Sequence, residues 1–365
     1  MTSHDASRAP AAPLPSLEAF LGEARGLGAS DLHLASGAVP FVRVEGDVRR
    51  LEAAALSAEE ADALARDALA LAGVESGKDV DFCFEHAAHG RFRANAHRTR
   101  RGAALALKCI PREIRPLTDL GLPESLYDLT DLATGMVLVA GPAGCGKSTT
   151  LAALIQRINE TRPEHVVTIE DPIEYVFPPG RCNVTQRQVG PHTRSFPAAL
   201  RAALREDPDV ILLSELRDLE TIRTAIVAAE TGHLVLGTLH TRDAAATVSR
   251  LLDVFPADEI EQVRTMVAAS LRAVICQRLL KRRGRGGRTP AYEILRVTPA
   301  VASLIRDGRT HQLPSQLQIG RKHGMIDLDA RLEEMVGEGL IDLETARAHA
   351  KSPARLRGED ADAGG

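Results

Sequence analysis

Residues 136–158 read MVLVA-GPAGCGKS-TTLAALIQRI, and this stretch decides the fold. Its centre, Gly141-Pro142-Ala143-Gly144-Cys145-Gly146-Lys147-Ser148, has the spacing G-x-x-x-x-G-K-[ST]. Small residues at these positions let successive backbone N–H groups curl around a phosphate. The spacing then sends Lys147 to the β/γ-phosphates and the Ser148 hydroxyl to Mg²⁺. Met136–Ala140 is an apolar run of buried-strand type, and Thr149–Ile158 places Leu151, Leu154, Ile155 and Ile158 on one helical face. Strand, Gly-rich turn and helix together aim a helix N-terminus at an anion. Only six of the 45 basic residues are lysine, and one of them stands where the pattern requires it. The stretch therefore predicts a nucleotide-binding loop.

Working outward, three further blocks supply chemistry. Asp209-Val-Ile-Leu-Leu-Ser-Glu215 is an apolar strand ending in a carboxylate. At a strand's carboxyl end beside a phosphate loop, Glu215 is suited to polarise an attacking water or orient a metal's water ligands. Thr168-Ile-Glu-Asp-Pro-Ile-Glu174 gathers Glu170, Asp171 and Glu174 at the end of another strand, a density that suits Mg²⁺ or water positioning. Gly237-Thr-Leu-His-Thr241 puts His240 at a third strand end, where it is suited to sense a γ-phosphate. Polar residues at several strand ends are expected along the carboxyl edge of an open α/β sheet.

Composition narrows the class. A chain of 365 residues has room for two or three domains. Its net charge of −4 gives no bulk attraction to nucleic acid or anionic membrane. The five cysteines are scattered without a C-x-x-C pair, which argues against zinc and, in a reducing compartment, against disulfides. There is no long apolar run of bilayer-spanning length, and Met1–Pro15 lacks the pattern of a signal peptide, so a cytoplasmic location is expected.

Patterning divides the chain. Residues 1–15 and 351–365 read as polar, disordered tails. Residues 16–112 read as a small α+β module: a helix at Leu17–Leu27, strands at Asp31–Leu34, Pro40–Val44, Asp81–Glu85, Gly90–Arg98 and Ala103–Ile110, and a helix at Ser57–Ala72 with a Ser57/Glu60 capping box. A Pro-broken linker is expected at 113–125. Across 126–350, strands at 136–140, 166–170, 210–214 and 234–239 alternate with helices at 149–160, 195–206 and 218–231, which predicts a mostly parallel sheet with flanking helices. Helical patterns are expected to dominate beyond it. Lys281-Arg-Arg-Gly-Arg-Gly-Gly-Arg288 is basic and Gly-rich, without the interleaved aromatics of a nucleic-acid groove, and reads as a solvated loop.

The four blocks, in this order, resemble the type II/IV secretion ATPase superfamily and most closely its PilT/PilU-type pilus retraction ATPases. They are Gly141–Thr149, Thr168–Glu174, LREDPDVILLSELRD over 204–218 and AETGHLVLGTLHT over 229–241. Gly28–Leu34 and Gly90–Arg98 are similar to the family's N-terminal module. The resemblance implies a PAS-like N-terminal domain, a RecA-like motor domain and a homo-hexameric ring at the inner-membrane base of a pilus. It also implies ATP and Mg²⁺ as cofactors, and as partners a platform protein in the inner membrane and a second retraction ATPase. By position, Gly141–Thr149 would hold the nucleotide and Glu215 would promote hydrolysis. Glu170, Asp171, Glu174 and His240 would complete the site. Arg91, Arg93 and Arg98 are candidates to reach the phosphates in trans as the N-terminal module closes. The lack of a further N-terminal domain and of a four-cysteine zinc element favours the retraction branch over extension and type II secretion motors.

Three places depart from the family pattern. Cys145 and Ala143 stand where Ser and Thr are usual, which raises the prospect of an oxidation-sensitive loop. Ser214 replaces the Gly before Glu215. Ala302-Ser303 replaces Arg-Asn within the A-I-R-N-L-I segment. The alternatives left open are a weakly hydrolysing accessory ring subunit and the motor of a related secretion or assembly system.

Overall fold

The computed structural model describes residues 16–284 and 286–356, and these form two compact units that divide between Arg112 and Glu113. The N-terminal tail and residues 357–365 of the C-terminal tail lie outside the described residues.

The first unit runs α1 (Leu17–Gly26), β1 (Asp31–Ala35), β2 (Phe41–Val44), β3 (Asp47–Arg50), α2 (Ala58–Ala72), β4 (Asp79–His86), β5 (Gly90–Thr99) and β6 (Gly102–Cys109). Its strands pair antiparallel in the order β3-β2-β1-β6-β5-β4, the expected PAS-like α+β module. The alternation of buried and half-buried residues along β1 and β5 puts Leu32, Leu34, Phe92 and Ala94 into one core. Helix α2 starts on the predicted capping box: Ser57 accepts from the Glu60 N–H while Glu60 accepts from the Ser57 N–H at 2.7 Å. Strand β3 has four exposed residues, so no apolar pattern announced it.

The second unit contains β7 (Gly135–Ala140), α3 (Lys147–Thr161), β8 (His165–Glu170), β9 (Asn183–Gln188), α4 (Phe196–Ala203), β10 (Val210–Leu213), α5 (Leu219–Glu230) and β11 (Leu234–Leu239). It continues with α6 (Ala244–Asp253), α7 (Ile260–Ser270), β12 (Leu271–Lys281), β13 (Arg288–Arg296), α8 (Pro299–Arg306), α9 (Leu313–Ile319), α10 (Leu328–Gly337) and α11 (Leu343–His349). The seven-stranded sheet has the order β13-β12-β7-β11-β10-β8-β9 and is parallel except at β13. Apolar cores lie on both its faces, as the unbroken Val/Ile/Leu runs of β7, β10 and β11 require.

Three expectations are corrected here. Helices do not dominate beyond residue 240 without interruption, because Leu271–Lys281 and Arg288–Arg296 are long strands. Both are buried on two faces, and such a run carries no period that separates strand from helix. The segment 113–125 is no bare linker: Leu117 and Leu122 are buried in the second core. Residues 351–356 are exposed but not a free tail: the N–H groups of Lys351 and Ser352 are held by Asp329, and Leu356 is buried in a cluster with Leu332 and Met335. The basic run lies where β12 ends and β13 begins, its ends joined as strand neighbours Lys281 and Arg288.

Candidate active site

The loop Gly141–Ser148 leaves the buried end of β7 and runs into the first turn of α3. Gly146 caps that helix in the left-handed conformation at φ +94°, and Gly141 sits at φ +143°. A Cβ at Gly141 would collide with the backbone carbonyl of Gln277 and with the Cys145 sulfur. Glycine is therefore required twice over, by conformation and by space. By contrast, nothing lies within 4 Å of a Cβ at Gly144, also at positive φ, so the loop's concave side is open there. Pro142, Ala143, Gly144 and Ser148 are exposed, while Cys145 and Lys147 are buried.

Gln277, on β12, braces the loop from the neighbouring strand. Its side-chain amide donates to the Cys145 carbonyl at 2.9 Å, and its oxygen accepts from the Thr150 hydroxyl at 2.9 Å. No motif pointed to it, since it lies 132 residues beyond Cys145. The Cys145 thiol is held above its ordinary range by burial, against the smaller opposing pull of Lys147. A buried, protonated thiol is a poor nucleophile, which corrects the expectation of an oxidation-sensitive loop.

Three strand ends meet at this edge. Lys147 Nζ donates to the carbonyls of Gly141 at 2.9 Å and Pro142 at 3.1 Å, and lies 3.4 Å from His240 Nδ1. His240 Nε2 is in turn 3.3 Å from Glu215 Oε1, and the other Glu215 oxygen takes Arg217 at 2.6 Å. Lys147, His240, Glu215 and Arg217 thus form one continuous polar run. Burial works to raise the Glu215 carboxyl, but Arg217 and His240 outweigh it and hold it below its usual range. Glu215 therefore stays ionised at neutral pH.

Glu170, at the end of β8, is buried and raised by that burial, with hydrogen bonds opposing the shift. Its Oε1 accepts from the Thr168 hydroxyl at 2.6 Å and from Gln186 at 3.0 Å. Gln186, on β9, also donates to the Tyr175 carbonyl at 2.8 Å, while the Tyr175 and Thr149 hydroxyls meet at 2.9 Å. Asp171 is exposed, precedes a cis peptide bond to Pro172 and acts electrostatically on Arg217. Glu174 lies close enough to affect Glu170. Gln186 and Tyr175 carried no signal in the sequence beyond their nearness to the acidic block.

Beyond the loop tip lies a cavity of about 530 Å³ lined by Gly144, Cys145, His240, Arg242, Arg278 and Arg288. In the first unit, Arg91 and Arg93 are half-buried on β5, and Arg98 pairs with Asp62 at 2.5 Å. Ser214 donates its N–H to the Ile169 carbonyl and takes the Thr238 hydroxyl on its own carbonyl at 2.5 Å, which fixes the strand end before Glu215. Among the described residues, no group of three or more His, Cys, Asp or Glu side chains could hold a metal.

A parallel sheet with a phosphate loop at its carboxyl edge, facing acidic and histidine strand ends, defines a P-loop ATPase of RecA-like fold. Residues 16–284 match the family model described as "Type II/IV secretion system protein", and the chain belongs to that family. It is 48% identical over 329 residues to the type IV pilus retraction ATPase PilT of Pseudomonas aeruginosa, covering 89% of this chain and 95% of that one. It is also 48% identical over 316 residues to a twitching motility protein of Neisseria gonorrhoeae, covering 86% and 84%. A crystal structure of the pilus retraction motor PilT with bound ADP superposes with a TM-score of 0.81 at 44% identity, covering 93% of this chain and 98% of that one.

Proposed function

We propose that this chain is the subunit of a homo-hexameric motor that hydrolyses ATP to retract a type IV pilus. In this reading it acts from the cytoplasmic side on a platform protein of the inner membrane. The observation that carries it is the polar run Lys147–His240–Glu215 at one sheet edge, in a chain whose similarity to pilus retraction ATPases extends nearly end to end.

The residues divide the work. The N–H groups of Gly144–Ser148 and the N-terminus of α3 cradle the β-phosphate. Lys147 exchanges the Gly141 and Pro142 carbonyls for β/γ-phosphate oxygens. Its ammonium is already at the loop, so little reorganisation is needed. The exposed Ser148 hydroxyl suits Mg²⁺, an ion that keeps several waters and takes few protein ligands. Mg²⁺ supplies positive charge against the phosphate oxygens. Glu215, ionised and held by Arg217, orients and polarises the attacking water. His240 lies between Glu215 and Lys147, placed to register whether a γ-phosphate is present. Asp171 and Glu174 would turn their carboxylates toward Mg²⁺ when it is bound, and Glu170 holds that strand end in register. Arg91, Arg93 and Arg98 are the candidates to add positive charge to a neighbouring subunit's phosphates.

Steady-state ATPase assays of the wild type beside Glu215→Gln and Lys147→Ala test the reading. Each substitution is expected to lower kcat by about 10²- to 10⁴-fold, in the range of a lost general base or charge stabiliser. A wild type no faster than either variant would remove the motor reading.

One observation favours a second reading, an accessory ring subunit working with a second retraction ATPase. In α8, Leu304 and Ile305 are buried, but the half-buried outer positions hold Ala302 and Ser303 rather than Arg and Asn. Restoring Arg-Asn at 302–303 and finding retraction gained at unchanged ATPase would favour it.

A further inference from the structure

We infer that the segment 349–352 is a strap that positions the His240 loop, with Lys351 as its positioning residue. The inference rests on the reading of His240 as part of the hydrolytic site.

Only four residues, 240–243, separate the end of β11 from the start of α6. Two residues of the β12–β13 pair reach the strap and, at the same time, either this short loop or the first residue of the helix that follows it. On β13, Glu293 is 1% exposed; one oxygen accepts the Ala244 N–H at 2.8 Å, and the other pairs with Lys351 Nζ. On β12, Arg278 donates to the His349 carbonyl at 2.5 Å and to the Arg242 carbonyl at 3.5 Å. Asp329 on α10 then fixes the strap itself, its two oxygens accepting the N–H groups of Lys351 at 2.7 Å and Ser352 at 2.8 Å. Packing alone does not require this arrangement. A buried carboxylate placed between a helix N-terminus and a lysine is costly unless both its partners are present. Here each partner belongs to a different segment, so the first residue of α6 is fixed through a group that also grips the strap. A displaced strap releases Glu293, the start of α6 and, through Arg242, the loop bearing His240. Motion of the helices α10 and α11 is thereby linked to the phosphate-sensing end of the site.

The test uses the full chain and measures kcat, KM for ATP and the unfolding midpoint. Lys351→Met is expected to lower kcat about five- to tenfold with KM within about twofold of wild type, since the strap acts on turnover rather than on the phosphate loop. Lys351→Arg is expected to restore most of the rate. The double variant Glu293→Gln with Lys351→Met removes the buried charge of Glu293 together with its partner, so its midpoint should return toward wild type while kcat stays low. Recovery of kcat along with the midpoint in the double variant would reduce the effect to charge burial and overturn the inference, as would a wild-type kcat in Lys351→Met. His240→Ala separates the two levels. If it turns over like wild type, the site reading fails and the strap's role in turnover falls with it. If it is slow and the Lys351 variants are not, the strap alone fails.

Discussion

Glu215 illustrates how a single residue's role depends on its neighbours. Its place at the end of an apolar strand is visible in sequence, but its charge state is set by Arg217 and His240 acting against burial. A carboxyl held below its ordinary value stays ionised further into acid, so in the proposed role of general base Glu215 is lost only at lower pH. Arg217→Gln is therefore expected to move the acid limb of the kcat/KM profile upward, and an unmoved limb would separate Arg217 from catalysis. Cys145 shows the converse. Read alone, it is the loop's odd letter; in place, the residue is 3% exposed and its thiol is raised by burial. Iodoacetamide should label it slowly in the native protein and readily in urea, as mass spectrometry of the loop peptide would show.

At the level of elements, α3 was legible by its helical period, and β7, β8, β10 and β11 as short apolar runs closed by the polar or Gly-rich residues that follow them. The phosphate loop was legible because its glycines answer local demands, as Gly141 shows. Strand β12 was not legible, and with it went Gln277. Its apolar run is buried on both faces, so periodicity could not distinguish it from a helix. The partnership of Gln277 with Cys145 and Thr150 is purely tertiary. Gln277→Leu would leave the buried Thr150 hydroxyl without its acceptor, an expected loss of about 1–3 kcal/mol in urea unfolding. The same change should raise KM for ATP, because the loop loses its brace. Gly141→Ala is expected to do more. Left-handed backbone and collision with the Gln277 carbonyl act together, and ATP binding measured by calorimetry should disappear.

At the level of the whole molecule, the two units have separate apolar cores: the first gathers Leu21, Leu64 and Phe92, the second is built on the faces of the parallel sheet. Two calorimetric unfolding transitions are expected, with saturating ADP raising that of residues 113–356, because a ligand stabilises the unit that binds it. One transition that moves as a whole would contradict this. Sequence by itself determined the two kinds of fold, the nucleotide loop, and the identity of Lys147, Ser148, Glu215 and His240 as residues of interest. Those properties follow from local spacing, capping and apolar period, which a chain carries wherever it folds. The tertiary structure alone decided that Lys147, His240, Glu215 and Arg217 form one run, that Cys145 is shielded, and that Glu293 and Arg278 each reach both residues 349–352 and the chain after His240. Such contacts join segments up to more than a hundred residues apart. Their energies depend on burial and on distances of a few ångströms, which no local pattern encodes.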